Sequence, residues 1–348
     1  MSTSTVSPPT QRRAPVVRRL DTTQLVYVAL LAVIVVGTVL TAMSGRSFFS
    51  SGNIASVLTL TSTLGFVAIG QTLVILVGSL DLSVPYVISL ASIVGGGVMN
   101  GEESMIVPGV LAALGVCAVV GLANGLVVTG LGVHGFIATL GMGLIISGYL
   151  ASNYQGNYGS APRSFQLVGI TLFGPVPLST LIMLGCAGVG VLMLNRTRLG
   201  HHIYAVGGGR EVSRMSGVRT HTPVVAAHVL CSVLAGMAGL LLLSRTSVGS
   251  PTIGNQGGYD LMSIAAVVLG GTLLAGGRGS IVGTIGGVAI FAVIDNVMSV
   301  MEINSFLQDV VRGLVIVIAV AVYARRAIPR RATRFPDRAT AVTIGDTP

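Results

Sequence analysis

Apolar residues in this chain come in long blocks, with neither strict alternation nor a single helical stripe between them. Ten blocks stand out, near 25–44, 54–77, 82–100, 105–129, 133–151, 177–194, 223–243, 260–275, 280–300 and 306–324. Most are close to the about 20 residues a helix needs to cross the hydrocarbon core. The pattern predicts an all-α polytopic membrane protein with about ten transmembrane helices. The first, fourth, seventh and tenth blocks are unbroken. The third carries Pro85 and the eighth is short, so both are expected to be bent or re-entrant. Broken backbone at membrane depth is tolerated only where protein or a water-filled cavity covers it.

Composition narrows the class. Of 348 residues, 52% are hydrophobic and 9% charged, and mean hydropathy is +0.86. A soluble globular chain would carry about 25% charge. A disordered or nucleic-acid-binding chain is excluded on the same ground, despite a pI near 10.2. All 20 basic residues are arginine. With a cytoplasmic start, sixteen of them fall on 1–24, 195–222, 276–279 and 325–348, only Arg46, Arg163 and Arg245 fall on the outer side, and Arg312 lies within the last span. That asymmetry is what the positive-inside rule expects. The chain then divides into a disordered cytoplasmic arm (1–24), a membrane domain (25–324) and a basic cytoplasmic tail (325–348). Arginines before the first block resemble a secretory signal. The block exceeds a signal's about 7–15 apolar residues, however, so a retained helix is expected.

Apolar helices have no hydrophobic reason to associate in lipid, and small residues supply close packing instead. Gly279, Gly283 and Gly287 form a ladder in the ninth span, read as a tight helix pair or a subunit seam. Gly121 with Gly125, and Gly236 with Gly239, form shorter ones. Polar groups at membrane depth are few. Gln71, Asn124, Asp295, Asn296 and Gln308 are the candidates for a translocation path, with interhelical hydrogen bonding as the competing reading. Asp309 and Arg312, three apart, can pair on one helix face. His134 and His228 are expected at the interface. Cys117, Cys186 and Cys231 read as small buried hydrophobes, with no metal or disulfide spacing.

Two connections are long. Residues 152–176 form the main outer loop, either a docking surface or an ordinary solvated loop. Residues 195–222 form the main inner loop, where a short helix from about Arg210 to Ser216 ends at Gly217. A Gly just past a helix is a common stop. Topology alone does not require three glycines and a capped helix, so an ordered docking element is expected.

No enzyme constellation is present in the sequence. The Gly cluster at 270–280 has Arg278 where a phosphate-binding loop needs Lys. H-E-x-x-H and G-x-S-x-G strings are lacking as well. No catalytic residue, metal site or cofactor is expected on this chain, and any energy supply belongs to a partner.

Four strings then carry a resemblance. GQTLVILVGSLDLSVPYVISLAS at 70–92, VHGFIATLGM at 133–142, RTRLGHHIYAVGGGREVSRMSGV at 196–218 and AAVVLGGTLLAGGRGSIVGTIGG at 265–287 resemble, in order, segments of the ribose-type sugar permeases. These are the membrane subunits of bacterial ATP-binding-cassette importers, within the branched-chain amino acid and sugar permease superfamily. Pro85 stands where Gly is usual, Ser147 near where many relatives carry Arg, and Asp295 where Asn is common.

The resemblance implies a type II importer-like permease fold in the bacterial inner membrane, both termini cytoplasmic. It implies a second permease copy, a cytoplasmic ATPase that holds the ATP, and a periplasmic sugar-binding protein. Arg210, Glu211, Ser213, Arg214, Met215 and Gly217 would then couple to the ATPase, with Met215 as an apolar plug. A nucleoside or branched-chain amino-acid permease, and a stand-alone carrier or channel, are the competing functions.

Overall fold

A computed structural model describes residues 21–327, with side chains placed except at 171–173 and 319–327. Of the arm expected over 1–24, residues 22–24 belong to the first helix, and of the tail expected over 325–348, residues 325–327 belong to the last; residues 1–20 and 328–348 lie outside the described residues. In chain order the helices are α1 (Thr22–Met43), α2 (Ser51–Leu76), α3 (Val84–Met99), α4 (Ile106–Gly130), α5 (Gly135–Asn153), α6 (Arg163–Gln166) and α7 (Leu178–Arg196). They continue as α8 (Arg198–Gly208), α9 (Arg210–Met215), α10 (His221–Thr246), α11 (Ile253–Gln256), α12 (Tyr259–Leu269), α13 (Ile281–Val300) and α14 (Ser305–Ala327). All but α6, α8, α9 and α11 occupy the ten apolar blocks.

Seven of these, α1, α2, α4, α5, α7, α10 and α13, are long and apolar enough to cross a membrane. The chain is an all-α polytopic membrane protein. The third and eighth elements are truncated, with α3 at 16 residues and α12 at 11. At 1.5 Å per residue α12 covers only about 16 Å of an about 30 Å core.

Local chemistry sets the helix ends. Asp21 accepts from the Thr22 amide while Gln24 reaches back to the Asp21 amide, capping α1. Ser280 accepts from the Gly283 amide at 3.0 Å and starts α13.

α2, α3, α10 and α13 form the interior. α10 packs on α2, α3 and α4, while α13 packs on α1, α2 and α12. The central stretch of α2 is 89% buried, against 17% for α1. Glycines permit this closeness. A Cβ at Gly70 would stand 2.8 Å from the Cys231 Cα, and one at Gly125 would stand 2.7 Å from the Val225 Cα. Gly283 sits on the Gly270 carbonyl and Gly287 on that of Ala266. The ladder is therefore a tight pair within the chain, α13 against α12. Gly279 is not on the helix; it precedes α13 and packs on Thr272.

Hydroxyls and amides bridge the same helices. Thr72 pairs with Thr284 at 2.8 Å, Ser62 with Thr180 at 2.9 Å, and Asn296 donates to Asn53 at 3.0 Å. All three cysteines are free thiols, with Cys117 and Cys231 buried.

On the face opposite α8 and α9, the 152–176 connection is ordered. β1 (Tyr158–Ser160), β2 (Thr171–Phe173) and β3 (Val176–Pro177) lie within or at the end of it. β1 pairs antiparallel with β4 (Val248–Gly249), just after α10, and β2 pairs with β3. Ser164 donates to the Glu103 carboxylate through both its amide and its hydroxyl, tying α6 to the start of α4.

Candidate functional site

The 197–220 stretch holds two helices where the sequence pattern predicts one. Thr197 caps α8 by accepting from the Gly200 amide at 3.1 Å. Ser213 of α9 donates to the Ala205 carbonyl of α8 at 2.8 Å, and Val218 N–H closes on the Ser213 carbonyl at 3.0 Å. These bonds fold α9 back on α8 as one rigid piece. Gly217, at φ +80°, ends it in a conformation that other residues resist.

Ser213 is buried inside this piece, while Arg210, Glu211 and Arg214 face outward. Val212 and Met215 are 69% and 82% exposed. Glu211 and Arg214 pair one turn apart, leaving Met215 and Val212 as an apolar knob between charges.

α8 is joined to the membrane helices through backbone. Gly207 lies against the Leu76 carbonyl at the end of α2, where a Cβ would overlap the oxygen and stand 2.6 Å from Gly277 N. Gly277 N–H donates to that same carbonyl at 3.0 Å. A Cβ at Gly276 would stand 2.9 Å from Gly78 N and 3.0 Å from the Gly207 oxygen. Three chain segments thus meet with no side chain between them: the end of α2, the end of α8 and the 270–280 turn. Tyr204 adds a hydrogen bond to the Gly279 carbonyl at 3.0 Å. Burial raises the Tyr204 phenol above its ordinary 10.0, so it remains a donor.

Directly beyond this junction the α2–α3 break is held by a buried polar cluster. Asp81 Oδ1 accepts from Ser83 N–H at 3.0 Å and Ser83 O–H at 2.6 Å. Asn124 of α4 donates to Ser83 Oγ at 2.9 Å, and Thr139 of α5 accepts from Leu82 N–H at 3.0 Å. His228 of α10 places Nδ1 3.3 Å from Asp81 Oδ2 and Nε2 3.1 Å from Ser79 Oγ.

His228 is not interfacial, as its position near a span end predicts; it is fully buried. His134 is exposed, and its ring accepts from the Phe136 amide at the start of α5. Asp81 also lies at the amino end of α3, where the helix dipole favours negative charge. The Asp-Leu-Ser segment therefore supplies the donors and acceptors that the broken helix lacks.

The contact order of Ser79, His228 and Asp81 is that of a nucleophilic triad. The geometry does not serve that chemistry. Ser79 is 6% exposed and the Gly135 backbone sits on its hydroxyl, so no substrate carbonyl has room. The cluster acts as a structural clamp on four chain segments: the α2–α3 break, α4, α5 and α10. Among the described residues no group of three or more His, Cys, Asp or Glu is placed to hold a metal ion.

The five polar candidates for a path do not gather at one place. Asn124 belongs to the clamp. Gln71 is buried between α2 and α10 and receives the Cys231 thiol at 3.7 Å. Asn296 bridges α13 to α2, and Gln308 donates to the Ile303 carbonyl at the start of α14. Asp295 has a cation that sequence proximity hides. Arg312 of α14 donates to it at 2.9 Å and to Asp309 at 3.0 Å. At the same end of α13, Glu302 pairs with Arg46 at 2.7 Å.

Comparisons with known proteins agree with the fold. The family model described as branched-chain amino acid transport system / permease component matches residues 53–320. The ribose import permease protein of Escherichia coli strain K12 is 36% identical over 299 residues, covering 84% of this chain and 92% of the relative. The L-arabinose transport system permease protein of the same strain is 34% identical over 262 residues, or 74% and 77%. The galactose/methyl galactoside import permease protein of Haemophilus influenzae is 31% identical over 295 residues, or 79% and 87%. No solved structure matches.

Proposed function

Because the chain belongs to the branched-chain amino acid transport system / permease component family, we propose that it is the membrane subunit of a bacterial ATP-binding-cassette importer carrying a monosaccharide or related polyol. The sugar assignment draws on the relatives, whose names specify ribose, arabinose and galactose import. In this reading the chain sits in the inner membrane with α8 and α9 on the cytoplasmic side. It works with a second copy of itself, a cytoplasmic ATPase that holds and hydrolyses ATP, and a periplasmic sugar-binding protein.

One observation carries the mechanism: the backbone junction of Gly207 with Leu76 and Gly277. A push on the exposed face of α9 passes through α8 without flexible side chains to absorb it. It arrives at the end of α2 and the turn between α12 and α13. Those are the elements next to the two truncated spans, where a change in packing alters access across the membrane. Val212 and Met215 provide the apolar grip on the ATPase, while Arg210, Glu211 and Arg214 orient it.

The test is uptake and ATP hydrolysis in vesicles holding the complete importer. Arg214→Glu and Met215→Glu are expected to abolish coupled uptake while leaving membrane insertion intact. Normal uptake in both, or full-rate sugar transport by the permease without any ATPase, overturns the reading. Uptake of a branched-chain amino acid and no sugar overturns the substrate class alone.

A further inference from the structure

The chain between α10 and α12 does not stay at the membrane surface. Gly249 lies against Ile93 of α3, where a Cβ would stand 3.1 Å from the Ile93 Cα. Five residues later Gly254 sits on the Pro85 carbonyl, with Ile88 Cβ 3.0 Å from its own Cβ position. Those marks are five to eight residues apart on α3, a descent of about 10 Å. The descending segment is tied to α3 side chains: Ser250 N–H donates to Ser92 Oγ at 3.2 Å and Gly254 N–H to Ser89 Oγ at 3.0 Å. Apart from the single turn of α11, it is non-helical backbone at membrane depth. Such backbone persists where protein or a water-filled cavity covers it. Here one side is covered by α3 and the other faces a cleft of about 360 Å³.

The cleft lining has a definite chemistry. Thr252 and Asn255 come from the descending segment, Ser147 from α5, and Tyr154, Gln155 and Asn157 from the chain that follows α5. No lining residue is charged. Tyr154 is held by its neighbours, with ring centroids 6.3 Å from Tyr149 and 5.1 Å from Tyr158. A half-buried ring among hydroxyls and amides offers an apolar face and several neutral hydrogen-bond partners. A zwitterion or phosphate would meet no countercharge there. The volume lies at the small end of the roughly 300–1,000 Å³ of ligand sites.

We propose that the cleft between α5 and the 249–256 segment is a binding site for a neutral, polyhydroxylated solute of monosaccharide size. This deepens the importer reading and rests on it. The site lies on the face opposite α8 and α9, so solute meets it before passing the clamp at Asp81.

The test uses cells carrying the complete importer. Uptake of labelled D-ribose, D-galactose and L-arabinose is measured, with L-leucine as the zwitterionic probe. Wild type is expected to take up at least one sugar and not leucine. Asn255→Leu, Thr252→Val and Ser147→Leu are expected to lower sugar uptake tenfold or more at unchanged membrane abundance. Asn255→Cys is expected to react with a membrane-impermeant thiol reagent and to be protected by the transported sugar. Wild-type uptake of leucine and no sugar overturns the substrate class on which the cleft rests, and uptake of none of the four solutes overturns the importer reading itself. Sugar uptake within twofold of wild type in all three variants, or an Asn255→Cys thiol that sugar does not protect, overturns the cleft alone.

Discussion

Gly207 and Gly208 are neighbours at the end of α8 with opposite surroundings, which makes them a paired test of how α9 is linked to the membrane helices. A methyl group on Gly207 would overlap the Leu76 carbonyl oxygen and stand 2.6 Å from Gly277 N, whereas nothing lies within 4 Å of one on Gly208. Neither flank of Gly207 is a side chain that can rotate away. Relief requires parting two backbones by roughly 1 Å, which forfeits about a quarter to a half of each dispersion contact there. Overpacking of this kind costs about 1–3 kcal/mol. Losing the Gly277–Leu76 hydrogen bond adds about 0.5–1.5 kcal/mol. The sum, about 1.5–4.5 kcal/mol, shifts the junction equilibrium roughly 13- to 2,000-fold. In vesicles with the complete importer, Gly207→Ala is expected to cut sugar uptake at least tenfold while ATP hydrolysis continues. Gly208→Ala, equally mild in helix propensity, is expected to stay within twofold of wild type. Gly207→Ala transporting normally at normal abundance would refute the rigid link.

Other outcomes follow from the same contacts. Asp81→Ala strips acceptors from Ser83 and a partner from His228, so unfolding in detergent is expected about 2–4 kcal/mol easier. Asp81→Asn is expected to cost less, because an amide retains one acceptor oxygen; equal losses in thermal melts would contradict this. Asp309→Ala, whose carboxylate is 72% exposed, is expected within about 0.5 kcal/mol of wild type, whereas Asp295→Ala, at 13%, is expected to cost about 1–3 kcal/mol. Similar melting shifts for the two would show that burial does not set the strength of these pairs. Gln71→Leu is expected to leave transport intact, since Gln71 Nε2 has no partner among the described residues and the amide faces Cys231. A large loss of uptake at normal abundance would return Gln71 to the path.

Membrane helices announce themselves through apolar length, so all ten blocks were legible, including the shortness of the eighth. Glycine pairs were legible for a related reason: close packing in lipid leaves small residues at fixed spacing. Partners across the fold were not. His228 lies in an apolar run, and nothing within a turn of it shows that α10 aims it at Asp81. A usable signal existed, since ionisable groups inside spans seek each other and both residues are in apolar surroundings. Arg312 escaped notice as the partner of Asp295 because the two are 17 positions apart, on consecutive helices. The 249–256 descent was missed because a polar, Gly- and Pro-containing stretch reads as a surface loop. Its hydrogen bonds to Ser89 and Ser92 and the seating of Gly249 and Gly254 on α3 reveal its depth.

The abbreviated length of α12 also bears on how the protein is made. With 11 residues it falls well short of the about 20 a helix needs to cross the hydrocarbon core by itself. Its seat is the small-residue face of α13, where the Gly283 and Gly287 backbones receive Gly270 and Ala266. α13 is synthesised afterwards. The seat of the eighth element is thus complete only once the ninth is in place, although α2 already offers it one wall.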